Sequence, residues 1–210
     1  MTFLNLKTLL LLGVVSVNVF AIKAPTEGYG VEKSSRNMRL APADPSMTLN
    51  GPLEEVTYKA NKLNPRWARD LEKRKPSETT SGSAAAQPTD VICNNGLGRW
   101  SLASAYDIKN SLSNLRQVTK KPQIGRGPKA CSRLSCEGNS AIWWCNDSYE
   151  PRQQENYAGI IAAIEAILNK CTDSSSKPEL VLGQAFMLGN WNVIIRSDKN
   201  YCTEPGGLEV

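Results

Sequence analysis

An α+β fold, with two helices laid on one face of an antiparallel sheet and disulfides holding it, is predicted by three observations. Two segments carry apolar residues at helical spacing: Leu102, Ala105, Ile108, Leu112 and Leu115, then Ile160, Ile161, Ile164, Ile167 and Leu168. Short β-prone runs alternate with them. Two pairs of these runs are joined at Gly138-Asn139 and Gly189-Asn190, a signal for tight hairpins. Six cysteines (Cys93, Cys131, Cys136, Cys145, Cys171 and Cys202) all follow residue 90. The resulting order is β-α-β-β-α-β-β, and its first six elements match a split βαβ, ferredoxin-like sandwich.

Each element has its own warrant. Asp90-Val91-Ile92-Cys93 suits a short strand. Residues 100–117 form the first helix, with Ser101 placed to cap it. Residues 119–130 hold two Pro and two Gly and are loop. CSRLSC and SAIWWCN make the first hairpin. If its turn is centred on Gly138, Cys131 and Cys145 stand opposite each other and can form a cross-strand disulfide. The other pairings stay open, because six cysteines allow fifteen combinations. Residues 155–171 form the second helix, with Glu155 in the first turn and Lys170 in the last, which suits the helix dipole. LVLGQAFML and WNVIIRS make the second hairpin. The cysteine-rich α/β domain is placed at residues 90–204, about 115 residues, a normal size for one domain.

The chain before it reads differently. Residues 1–21 have one Lys, then a Leu/Val run ending at Val19-Phe20-Ala21. The run is about a dozen residues, too short to span a bilayer and right for a signal peptide cleaved after Ala21. No stable membrane anchor is expected. Residues 22–74 have no cysteine and are turn-rich, and they read as a propeptide or disordered N-terminal arm. Val56–Arg74 is the one amphipathic candidate there. The segment ends at Lys73-Arg74, within Leu-Glu-Lys-Arg, a form cut by kexin-type proteases of the fungal secretory pathway. Residues 75–89, rich in Ser, Thr, Ala and Pro, read as a flexible linker. Exposed linkers are where proteolysis concentrates.

A secreted chain with six cysteines implies disulfides and not thiol chemistry. There is no His and no CxxC pair, so no zinc or other metal site is expected. Without His, Ser-His-Asp and Cys-His nucleophile systems are excluded. Carboxylate-only hydrolysis stays open, with Asp147, Glu150 and Glu155 as the candidate acids. The formal charge of +5 gives no case for nucleic acid: residues 22–74 hold ten Lys/Arg against seven Asp/Glu, and residues 75–210 hold fourteen against thirteen. No cofactor is implied.

Three stretches carry binding chemistry. In SAIWWCNDS, Ala141, Trp143 and Cys145 share one strand face, while Ile142, Trp144 and Asn146 share the other. One Trp would pack under the helices. The other would face outward as a partner-binding anchor, unless both stiffen the sheet. Asn146-Asp147-Ser148 is an N-glycosylation sequon, or else a simple turn. Residues 116–133 contain Arg116, Lys120, Lys121, Arg126, Lys129 and Arg133 with no acid. Arg126 and Lys129 are its candidates for touching a partner, against the plainer reading of a solvated loop.

CSRLSCEGNSAIWWCND, a helix ending in Cys171, GQAFMLGNWNVIIR and the late Cys202 resemble small secreted cysteine-rich proteins of filamentous ascomycetes, many of them effector candidates. The resemblance covers roughly residues 90–203. It implies a killer-toxin-like, disulfide-stapled α/β sandwich, although cysteine number and spacing differ from those of the smut-virus toxins. It supplies no catalytic residues. The expectation is a secreted, extracellular monomer, with translocation into a host left open. It would act as an effector or virulence protein by binding a host or extracellular protein, without catalysis. The alternatives are an antifungal killer-toxin-like protein and a carboxylate-dependent secreted hydrolase.

Overall fold

The computed structural model describes residues 22–33, 35–38, 40, 44–45, 47–67, 69, 87–93, 100–118, 121–198 and 202. Ala21, Lys73, Arg74 and most of the 75–89 segment lie outside these residues. In chain order the elements are β1 Gly30–Glu32, β2 Ser35–Met38, β3 Met47–Asn50, α1 Leu53–Leu63, β4 Asp90–Cys93, β5 Ala103–Ser104, α2 Ala105–Arg116, β6 Gln123–Ile124, β7 Ala130–Glu137, β8 Ser140–Asn146, β9 Arg152–Gln153, α3 Ala158–Cys171, β10 Thr172–Asp173, β11 Leu180–Val181, β12 Gly183–Met187 and β13 Trp191–Ser197.

Six strands form the main sheet in the order β1-β7-β8-β13-β12-β4. All neighbours are antiparallel except β1 and β7. Both expected hairpins are present. Gly138 and Asn139 turn β7 into β8 with φ of 55° and 67°, and Gly189 and Asn190 turn β12 into β13 with φ of 92° and 60°. Two consecutive residues at positive φ give a turn whose twist matches the strands it joins.

The strand order departs from the split βαβ arrangement. There the first strand lies inside the sheet beside the third. Here β4 lies at the edge beside β12, and β13 takes the inner place between β8 and β12. Burial explains this. The first five residues of seven-residue β13 are buried whichever way they point, whereas four-residue β4 is exposed or half-buried throughout. A strand that is apolar on both faces gains most from a central position.

Helices α2 and α3 cover one face. Ile108, Leu112, Leu115, Ile160, Ile164 and Ile167 meet Leu134, Ile142, Trp144, Val193 and Ile195 in one cluster. The first helix starts later than expected. Ser101 bridges to Ser197, and the cap is Ser104, whose Oγ accepts from the Asp107 N–H at 3.3 Å. Three disulfides staple the layers: Cys93–Cys171 joins the β4 edge to the end of α3, Cys131–Cys145 crosses the first hairpin, and Cys136–Cys202 ties β7 to the chain's end. Cys131 and Cys145 are register partners, as a turn centred on Gly138 requires.

The opposite face is covered by described residues of the N-terminal segment, the stretch read from sequence as a propeptide or disordered arm. Tyr29 and Trp100 pack on Cys131, Trp143, Cys145 and Ile194. The Pro25 carbonyl accepts from Trp100 Nε1 at 2.6 Å and Arg196 Nη1 at 3.1 Å. Gly30–Glu32 adds a strand to the edge of β7. Farther along, Leu49, Val56, Ala60 and Trp67 close a small core of their own, while Leu53 enters the main core. Glu54 accepts from the Ser135 hydroxyl and, at 2.9 Å, from the Cys136 N–H.

Beneath this second layer sits a buried charged group. Asp198 accepts from Trp143 Nε1 at 2.9 Å and Arg196 Nε at 2.6 Å, with Arg133 Nη1 at 3.7 Å. Burial pulls the Arg133 guanidinium below its ordinary value, against the nearby Asp198 and Glu54 carboxylates. Arg133 is therefore part of the interior and not of an exposed basic loop.

Candidate binding surface

Strand register fixes which loops meet. Asn146 at the end of β8 stands opposite Ala130 at the start of β7 and Trp191 at the start of β13. Residues 125–129, 147–151 and 188–190 are therefore brought to one end of the sheet. The sequence separates them by up to 65 positions; antiparallel pairing removes that distance.

These loops are tied together by buried polar groups. Asn146 is fully buried, and its amide donates to the carbonyls of Gly125 and Glu150, both at 2.8 Å. Its Oδ1 accepts from the Ser148 N–H at 3.1 Å and hydroxyl at 2.7 Å. The Asp147 N–H donates to Asn190 O at 2.9 Å, linking the ends of β8 and the second hairpin. The Asp147 carboxylate accepts from the Tyr29 hydroxyl and from Asn192 Nδ2, each at 2.7 Å. Arg152 donates to the Gly189 carbonyl and lies 5.9 Å from the Trp191 ring centre. Burial lowers its pKa from the ordinary arginine value. Gly127 fits only because it lacks a Cβ, which would collide with the carbonyls of Asn146 and Ser148.

Two large apolar side chains project from this frame. Tyr149 is 76% exposed and Leu188 is 80% exposed. Arg126 is exposed and lies 3.5 Å from the exposed Glu150, and Lys129 is exposed in a left-handed conformation, φ 72°. Aromatic and arginine side chains held on rigid loops are the usual energetic centres of protein contacts, because little entropy is lost when they are covered.

The residues named from sequence fare unevenly. Arg126 and Lys129 do lie together here. Trp143 and Trp144 do not: both are 0% exposed, which corrects the outward-anchor reading. Trp144 packs under the helices and meets Trp191 edge-on at 6.3 Å, while Trp143 lies under the N-terminal segment. The sheet has two covered faces, so alternation along β8 chooses between two interiors. Asn146 as a glycan acceptor is corrected too. Its amide is buried and donates to the Gly125 and Glu150 carbonyls. The basic run of 116–133 is dispersed: Arg116 pairs with Glu165, Lys121 with Glu155, and Arg133 is internal.

Asp147, Glu150 and Glu155 each have separate partners, namely Tyr29 and Asn192, Arg126, and Lys121. Among the described residues no three His, Cys, Asp or Glu side chains are grouped to hold a metal, and no helix is long and apolar enough to cross a membrane. Tyr149 and Leu188 escaped the sequence reading. Their signal was modest: a large apolar residue inside turn chemistry, Asn-Asp-Ser-Tyr-Glu-Pro and Leu-Gly-Asn. Comparison with known protein families, curated proteins and solved structures finds no match to this chain.

Proposed function

We propose that this chain is a secreted effector or virulence-type protein of the fungal kind. It binds a host or extracellular protein through the loop end that carries Tyr149, Leu188, Arg126 and Lys129, and does so without catalysis. The observation that carries this reading is the exposure of Tyr149 and Leu188 on loops cross-tied through Asn146, Asp147 and Arg152. Three disulfides suit an oxidising, extracellular setting. The test is a photo-crosslinking residue at position 188, applied to host extracellular fluid and tissue. A specific adduct should be competed away by unlabelled wild-type protein and not by a folded Tyr149→Ala/Arg126→Glu variant. Equal competition by both proteins would remove this surface from the reading.

A killer-toxin-like, antifungal activity is the second reading. Two helices on one face of a largely antiparallel sheet, stapled by three disulfides, favour it. Its test is growth of a panel of sensitive fungi, and absence of inhibition across the panel sinks it.

A further inference from the structure

The edge of β7 carries an added strand, β1. That strand comes from about 100 positions earlier in the chain: Gly30, Val31 and Glu32 pair in parallel with Ala130, Cys131 and Ser132. Among the described residues this is the single parallel pairing in the main sheet. The Gly30 N–H donates to Lys129 O at 2.7 Å. The flanking side chains find matched receptors. The Tyr29 ring lies on the Cys131–Cys145 and Trp143 face, and its hydroxyl donates to Asp147 at 2.7 Å. The Glu32 carboxylate accepts from the Gly125 N–H at 2.6 Å. Main-chain pairing with alternate side chains in specific receptors is how extended peptides are recognised by strand addition.

The grip extends beyond the strand. Glu54 of α1 accepts from Ser135 and Cys136, and Leu53 is buried in the main core. Lifting the segment away would expose Trp143, Ile194 and the Cys131–Cys145 bridge to water, and open the Arg133–Asp198–Arg196 group.

We propose that the β7 edge and the Trp143 face form a strand-acceptor site whose occupant is this chain's own N-terminal segment, residues 22–69, held by contacts and not by chain continuity. A cut at the Lys73-Arg74 pair would then leave a two-chain protein, with the N-terminal piece as a bound subunit and not a discarded propeptide. This inference is independent of the loop-end reading above.

The experiment uses the full chain, purified with its disulfides intact and cut by a dibasic-specific protease. If the natural pair resists, a sequence-specific protease site is placed within residues 76–85. A denaturing gel reports the cut; native mass spectrometry and gel filtration report association. The expected result is two pieces that co-elute as one complex, its mass equal to that of the uncut protein plus one water. Gly30→Pro removes the donor to Lys129, and Glu54→Gln weakens the acceptor for Ser135 and Cys136. Both are checked for folding before the cut, and both should release the N-terminal piece at least about tenfold faster, since tenfold corresponds to roughly one such bond. Separation of the wild-type pieces on gel filtration would overturn the proposal. So would retention in both variants equal to that of the wild type.

Discussion

Trp143 and Asp198 are joined by a buried hydrogen bond, indole Nε1 to carboxylate at 2.9 Å, across 55 positions of sequence. The bond closes the end of β13 onto the middle of β8 and places a carboxylate between Arg196 and Arg133. Replacing Asp198 by Asn removes the carboxylate that faces buried Arg133 and half-buried Arg196. Breaking a buried pair from one side costs about 3–5 kcal/mol. Asp198→Asn should therefore lower the urea midpoint strongly, while Trp143→Phe should cost less, because no charge is stranded. Equal small effects, read from denaturation curves, would show that the group is not held as a unit.

The Tyr29 phenol should titrate late. Burial first, then its bond to Asp147, raise its pKa from the ordinary 10 to about 12. The folded state thus keeps this proton where the unfolded chain has lost it. Its contribution to stability is fully present below pH 10 and declines as pH rises from about 10 to about 12. Ultraviolet difference titration should show one late phenol, absent in Tyr29→Phe. If the phenol lost in Tyr29→Phe titrates near pH 10, the packing of the N-terminal segment is contradicted.

Glu137 is raised above its ordinary carboxylate value by burial first, and then by the neighbouring Glu54 and Asp107. The folded state favours its protonated form, so its contribution is present at acid pH and lost as pH rises through the raised value. Glu137→Gln should flatten stability against pH across that mildly acid window and leave neutral-pH folding intact. Parallel pH profiles for variant and wild type would contradict this assignment.

Protein expressed through a eukaryotic secretory pathway should carry no sugar at Asn146, so treatment with an N-glycan-removing enzyme should leave its intact mass unchanged. Asn146→Ala removes the donor to the Gly125 and Glu150 carbonyls and the acceptor of the Ser148 N–H, leaving the Ser148 hydroxyl on the Glu150 carbonyl. A cost of about 2 kcal/mol or more is expected, since each buried group left unpaired is worth about 1–3 kcal/mol. A glycan found at Asn146 would mean that the 146–150 turn is open in solution.

Gly183 is where β12 passes under α3. An added Cβ would come within 2.8 Å of Ile167 Cγ2 and 3.0 Å of the Cys171 sulfur, which is fixed by its bridge to Cys93. Gly183→Ala should destabilise by about 1–3 kcal/mol, as overpacking does. Thermal melts of the two proteins with disulfides intact would show it, and an unchanged midpoint would mean that α3 shifts freely.

The sequence by itself determined the local pieces. Periodicity placed the two long helices, Gly-Asn pairs placed both hairpins, and the turn at Gly138 put Cys131 against Cys145, because each of these depends on residues close in sequence. It did not determine strand order. That β13 sits inside and β4 at the edge follows from both faces of β13 being buried, which becomes visible only when both covering layers are present. Nor could it expose the fate of Trp143. Alternation along β8 says that Trp143 and Trp144 face opposite ways, but not that Tyr29 and Trp100 lie over one of them. The turn-rich, cysteine-free N-terminal segment has little periodicity of its own, so it reads as an arm. Tertiary structure makes it a layer, because its order comes from partners more than 70 positions away: Asp147 for Tyr29, Gly125 for Glu32, and Ser135 for Glu54.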